Sequence, residues 1–125
     1  ASPKVEEACD ALKELGFEEG RFEWSINFKG ESKVSIQIST EAFYQDFPSR
    51  SVPADVHGML MRVASLEDTL AGKLKAYSDA DRRPSKRIKD LGDISRLVET
   101  HPVLTKSLPP EVLEQIRSFG GKPKY

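Results

Sequence analysis

Ser65-Leu66-Glu67-Asp68-Thr69-Leu70-Ala71-Gly72-Lys73-Leu74-Lys75-Ala76-Tyr77-Ser78 reads as one amphipathic helix. Ser65 can cap the first turn, and Glu67 and Asp68 lie where the helix macrodipole favours acids. Leu66, Leu70, Leu74 and Tyr77 recur at helical spacing, which predicts a helix over 66–78 with a single apolar stripe. Lys73 lies on that stripe, whereas Lys75 points away from it. An unpaired ammonium on a core-facing stripe costs several kcal/mol, so Lys73 must either snorkel to the edge or meet an acidic or phosphate partner.

Downstream, the polar turn Asp79 to Arg83 leads to Pro84 at an N1 position and a second helix to about Thr100. Ile88, Leu91, Ile94 and Val98 form its expected buried stripe, and Pro102 ends it. Pro109-Pro110 opens a last short helix through about Phe119, before a frayed tail from Gly120 to Tyr125. The run Arg82-Arg83-Pro84-Ser85-Lys86-Arg87-Ile88-Lys89 straddles the turn and the helix start, either as a solvated face or as an anion site at a helix N-terminus. Lys86, Asp90 and Asp93, with Lys89 four residues before Asp93, lie beside the stripe. They read as ordinary i,i+4 ion pairs, or as acids that orient the basic cluster.

Upstream, Ser2 or Pro3 starts a helix that Gly16 stops, giving roughly residues 3 to 15. Cys9 falls with Val5, Ala8 and Leu12 on one side of it and reads as core packing. Phe22, Trp24, Ile26 and Phe28, then Val34, Ile36 and Ile38, alternate with polar residues as the two strands of a hairpin around Lys29-Gly30-Glu31-Ser32. Its second face, Glu23, Ser25, Asn27, Ser35, Gln37 and Ser39, is either solvated or lines a site. Val52 to Val56 and Met59 to Val63, joined at His57-Gly58, complete about four antiparallel strands. The expectation is α+β: an N-terminal helix, an antiparallel sheet and a C-terminal helical segment.

At 125 residues, 38% hydrophobic and 31% charged, the chain suits one compact domain, with the helix and strands in 1–63, the helical part in 64–119 and the tail in 120–125. A net charge of −1 means that any affinity for phosphate must be local. One cysteine excludes an internal disulfide and a zinc site built on paired cysteines. No membrane-span or signal-peptide pattern occurs, so a soluble cytoplasmic protein is expected. His57 and His101 stand at a turn and a helix end and give no metal motif. Opening on Ala1-Ser2-Pro3 rather than methionine, the chain reads as a processed product or a piece of a longer protein.

Taken together, Val63-Ala64-Ser65-Leu66-Glu67-Asp68, then Lys73, Arg83, Lys89-Asp90 and Asp93, resemble a known run, "A-S-x-E-D … K … R … K-D-x-x-D". It belongs to minimal nucleotidyltransferases related to the AbiEii toxins of abortive-infection and toxin–antitoxin systems. The likeness covers roughly residues 52 to 100, with the first helix and hairpin compatible. It implies a polymerase-beta-like nucleotidyltransferase fold, here truncated, in which Lys73 approaches nucleotide phosphates. By the same likeness Arg83, Lys89, Asp90 and Asp93 support the nucleotide site.

One departure bears on activity. Such enzymes hold magnesium with a D-x-D pair after a glycine turn and a third acid on a later strand, and two-metal chemistry needs those hard oxygens. The D-x-D here, Asp79-Ala80-Asp81, lies between two helices without a glycine motif, and Gln37 stands where the third acid is expected. No room for the missing strand and helix exists before Ala1, so no residue is assigned a catalytic or metal role and this chain alone is not expected to transfer nucleotides. Magnesium and NTP would enter only with a retained nucleotide site. Two readings stand: a partial or degenerate nucleotidyltransferase that binds nucleotide or RNA, and a non-catalytic interaction module or toxin–antitoxin component that pairs with a protein partner or itself through exposed strand edges.

Overall fold

The structure is a computed structural model that describes residues 3–120. Ser2 as a helix start and the expected tail beyond Gly120 lie outside the described residues. The chain forms two compact units, dividing between Ser49 and Arg50.

In the first unit, α1 (Pro3–Glu14) precedes a three-stranded antiparallel sheet of β1 (Glu18–Arg21), β2 (Ser25–Lys29) and β3 (Ser35–Ser39), with β2 in the middle. The helix stops as its sequence predicts. Gly16 takes φ +94°, its N–H bonds the Lys13 carbonyl and that of Phe17 the Leu12 carbonyl, so a glycine-centred Schellman turn satisfies the last carbonyls. Phe17 and Leu12, joined by that turn, pack together on the core of Cys9, Ile26 and Phe28. Cys9 is fully buried, as its place on the helix implied, although its predicted neighbour Ala8 is exposed. Burial pushes the Cys9 thiol above its ordinary pKa, which keeps it an inert packing group.

Ile26 faces Ile38 and Phe28 faces Ile36 across the central pair, so the buried stripe of the hairpin is the expected one. Its ends are not. Phe22, Trp24 and Val34, predicted to share that stripe, are 64%, 57% and 59% exposed. The Phe22 N–H bonds the Ser25 carbonyl and closes a two-residue turn at Glu23-Trp24, so the chain reverses from β1 into β2 instead of extending as one strand. On β3 the polar face, Ser35, Gln37 and Ser39, is solvent-exposed. Short 3-10 turns follow at Ala42–Tyr44 and Pro48–Arg50.

The second unit opens with a hairpin of β4 (Val52–Val56) and β5 (Met59–Val63). His57 (φ 51°) and Gly58 (φ 84°) form its two-residue turn, and the Asp55 carboxylate accepts the Gly58 N–H at 2.7 Å. Two consecutive positive φ values match the right-handed twist of the strands. The five strands thus lie in two sheets, where the sequence suggested one sheet of about four.

Helices α2 (Leu66–Ser78) and α3 (Pro84–Thr100) follow with the predicted bounds, then a 3-10 turn at Pro102–Ser107 and α4 (Pro110–Gly120). The Ser65 hydroxyl accepts the Asp68 N–H at 3.1 Å, and Pro84 starts α3 where no N–H partner is needed. Leu70, Leu91, Ile94, Val98, Leu104, Leu108, Val112 and Ile116 are buried together, with Leu74 and Tyr77 packed against them. Two stripe residues depart from expectation: Leu66 is 39% exposed and Ile88 is 73% exposed. Both sit in the first turn or so of their helices. There the stripe runs past the packed part of the core.

Ile94→Ala should therefore cost about 2–5 kcal/mol in urea denaturation, as for other buried aliphatic truncations. Ile88→Ala, on the same helix, should stay within about 0.5 kcal/mol of the parent. Equal losses at the two positions would contradict this core.

Candidate functional site

The carboxylate of Asp93, on α3, holds three cations. Its Oδ2 accepts Lys73 Nζ at 2.8 Å from α2 and Lys89 Nζ at 2.9 Å, while Oδ1 accepts Arg96 Nη2 at 2.6 Å. The spacing explains two of these: Lys89 and Arg96 stand four residues before and three after Asp93, on one face of α3. The third settles the question posed by Lys73, which meets an acid across the helix pair. Lys75 is exposed, as predicted. Lys73, followed by Lys89 and Arg96, holds the Asp93 carboxyl well below the usual carboxylate range. Three cations on one carboxylate leave two positive charges over, and the side chains of Lys89 and Arg96 remain 70% and 75% exposed.

Asp90 behaves differently. Expected beside the apolar stripe and opposite Lys86, it is 2% exposed and takes a two-point contact from Arg82, Nε to Oδ2 and Nη2 to Oδ1. Lys86 stays exposed. A guanidinium fork matches both carboxylate oxygens, which a lysine cannot do, and that bidentate match favours Arg82 at a buried acid. Asp90 therefore fixes the turn between α2 and α3 and has no oxygen facing solvent for a ligand. Arg87 braces the same corner, donating to the Tyr77 carbonyl at 3.1 Å and lying 5.0 Å from the centre of the Tyr77 ring.

Arg83 caps α3 through its carbonyl, which accepts the N–H groups of Lys86 and Arg87, while its side chain is exposed. Of the residues singled out in the sequence, Lys73, Lys89 and Asp93 thus converge, Asp90 is turned into the core, and Arg83 stands at the helix start. Arg82 was read only as part of the basic run, without its partner Asp90, and Arg96 was missed. Arg96 could have been found, three residues beyond Asp93 on the same face, whereas the Arg82–Asp90 contact crosses a turn that no helical spacing predicts.

Beside the Asp93 cluster a shallow groove of about 380 Å³ runs along the two helices. Thr69 and Lys73, one turn apart on α2, face Asp93, Leu97 and Thr100 on α3, with Arg96 and His101 at its margin. Asp68, just outside it, is bound by Arg50 through Nε and Nη2 at 2.9 and 3.0 Å, and that guanidinium lowers its pKa.

Magnesium does not fit these residues. Asp68 and Asp90 are each forked by an arginine, Asp93 is held by three cations, and Asp79 Oδ1 accepts the Asp81 N–H at 2.9 Å, so these acids already serve contacts within the protein. Gln37 presents an exposed amide. Among the described residues, no three His, Cys, Asp or Glu side chains are placed to hold a metal ion.

The chain is thus an α+β protein whose helical hairpin carries a groove lined in part by Lys73 and Arg96. The family model "Nucleotidyl transferase AbiEii toxin, Type IV TA system" matches residues 4–124, and the chain belongs to this family. The match reaches well beyond the helix pair into α1 and the first sheet. No curated protein and no solved structure matches the chain. Membership places the chain among toxins of type IV toxin–antitoxin systems, which implies an antitoxin as counterpart. No described helix is long and apolar enough to cross a membrane.

Because Asp93 is held ionised in the folded protein, its stabilising effect is present above the unfolded carboxylate pKa of about 3.9 and is lost as pH falls toward the depressed folded value. The stability gap between the parent and Asp93→Asn should be constant from pH 6 to 8 and narrow from about pH 4 downward. Urea midpoints across that range check it. A gap that does not narrow would mean that Asp93 is an ordinary carboxylate.

Proposed function

We propose that the α2–α3 groove binds the phosphates of a nucleotide and that the chain is the nucleotide-holding part of a nucleotidyltransferase that does not transfer by itself. One observation carries this reading: Asp93 gathers Lys73, Lys89 and Arg96 and leaves two positive charges over beside an open groove. A polyanion would complete that balance, each phosphate oxygen accepting N–H bonds that a single carboxylate cannot use up. A salt-bridge cluster built only for stability gains little from surplus like charges around one acid, because exposed cations repel each other. Family membership supports the choice of nucleotide over other anions. Lys73 and Arg96 would touch the phosphates, Lys89 would add to the field beside them, Arg83 at the start of α3 would act on the nucleotide only at longer range, and Asp90 would act only by fixing the turn.

A second reading is favoured by a separate feature. One face of the β4–β5 hairpin is wholly apolar, made of Val52, Ala54, Val56, Met59, Met61 and Val63, and Val52, Met59 and Met61 are 45%, 66% and 46% exposed. Pro53 removes a donor from β4, while β5 has all its N–H groups. Such a hairpin suits an interaction module that pairs with an antitoxin, another protein or a second copy.

Titration of magnesium nucleoside triphosphates in a thermal-shift assay separates the two. Ligand at about 100 times its dissociation constant should add roughly 2.7 kcal/mol of stability to the parent. Lys73→Ala should lose that shift while keeping its helical circular dichroism. If the parent shows no shift with any of the four triphosphates, the phosphate reading is wrong. Light scattering over a concentration series would then test the hairpin as a self-pairing surface, and a monomer throughout would leave only a different partner for it.

A further inference from the structure

We infer that the groove has two ends with different tasks, the Lys73–Arg96 end taking a polyphosphate and the Leu97–Thr100–His101 end taking the nucleoside attached to it. This rests on the phosphate reading above and goes further, because it names residues that set nucleoside binding and fixes the direction in which the ligand lies. Asp93, Leu97 and Thr100 share one face of α3, and seven residues of helix separate the first from the last by about 10 Å. The charge is confined to one end of that distance: Lys73, Asp93 and Arg96 lie there, and the far end holds a leucine, a threonine and a histidine.

Helix polarity sets the direction. Thr100 is the last residue of α3, and His101 is its C-cap, so the far end of the groove lies against the partial negative charge of a helix C-terminus. Phosphate is disfavoured there. A neutral heterocycle with N–H donors is not, since the last carbonyls of a helix lack intrahelical partners. The α2 N-terminus offers no competing anion site, because Ser65 takes the Asp68 N–H and Glu67 and Asp68 already place two acids in its first turn.

Chemistry at the far end matches a nucleoside. Leu97 packs against the buried core and gives the groove an apolar floor. The Thr100 hydroxyl and the His101 imidazole make no side-chain hydrogen bond to the described residues, so both can engage ribose hydroxyls or a base edge. Thr69, by contrast, spends its hydroxyl on the Ser65 carbonyl at 2.9 Å and contributes shape alone.

Calorimetric titration with inorganic tripolyphosphate and with each of the four nucleoside triphosphates, at equal magnesium, tests this on the full chain. The parent should bind at least one nucleoside triphosphate about tenfold more tightly than tripolyphosphate. Thr100→Val/His101→Ala should bind that nucleotide only as tightly as tripolyphosphate, with its tripolyphosphate affinity unchanged. Lys73→Ala should weaken both ligands. Equal affinity of the parent for nucleotide and tripolyphosphate, or a nucleotide preference that survives in the double variant, would overturn the two-ended groove while leaving the phosphate reading intact. No binding of either ligand by the parent would overturn both. Unchanged circular dichroism of the double variant is expected, because neither side chain belongs to the buried core.

Discussion

A carboxylate that must accept three cations at once organises the helical unit. Asp93 lies on α3 where its oxygens reach Lys73 across the helix pair and Lys89 and Arg96 along its own helix. A lysine on the apolar stripe of α2 would otherwise be an uncompensated charge at the edge of the core, and its partner converts that liability into a fixed position. Asp90, three residues earlier and facing inward, does the complementary job for Arg82 at the turn. The two acids, one turn apart on α3, thus hold the two helices in register, Asp90 buried at the turn and Asp93 nearer the surface. Hydrophobic burial of Leu70, Leu91, Ile94 and Val98 supplies the bulk of the driving force, and the ion pairs select which cations face the groove.

The first unit obeys the same division of labour on a smaller scale. Its core is Cys9, Ile26 and Phe28, and the polar β1 is held to it by hydrogen bonding to β2 and by Arg21, which forks onto Glu6 of α1 and also bonds Glu19 at 2.9 Å. Arg21 lowers the pKa of both acids. Arg21 and Glu6 are well exposed and screened, so the sheet ladder contributes more than the ion pairs to keeping β1 in place.

How far the sequence could be read depended on whether burial or polar contact decided an element. The helices α2 and α3 were legible to the residue because Ser65, Pro84 and Pro102 mark their ends and a leucine and isoleucine stripe fills them. The β4–β5 hairpin was legible from His57-Gly58 and the apolar runs beside it. Strand β1 was not, because Glu18-Glu19-Gly20-Arg21 has no apolar alternation, and its pairing is a backbone property. Trp24 misled for the converse reason: its apolar character continued a strand pattern at a position where the chain turns. In the site, helical spacing found the Lys89–Asp93 pair, and family likeness drew attention to Lys73. The Arg82–Asp90 contact depends on how the turn closes in three dimensions, so spacing pointed Asp90 at Lys86 instead.

If Asp93 organises the cations for a polyanion, removing its charge should harm anion binding even though it makes the site more positive. Tripolyphosphate affinity of the parent and of Asp93→Asn, measured at low and at physiological salt on protein shown to be fully folded, tests this directly. The account predicts weaker binding by Asp93→Asn, because Lys73, Lys89 and Arg96 lose the acid that holds them together. Tighter binding by the variant, as charge alone would give, would contradict it.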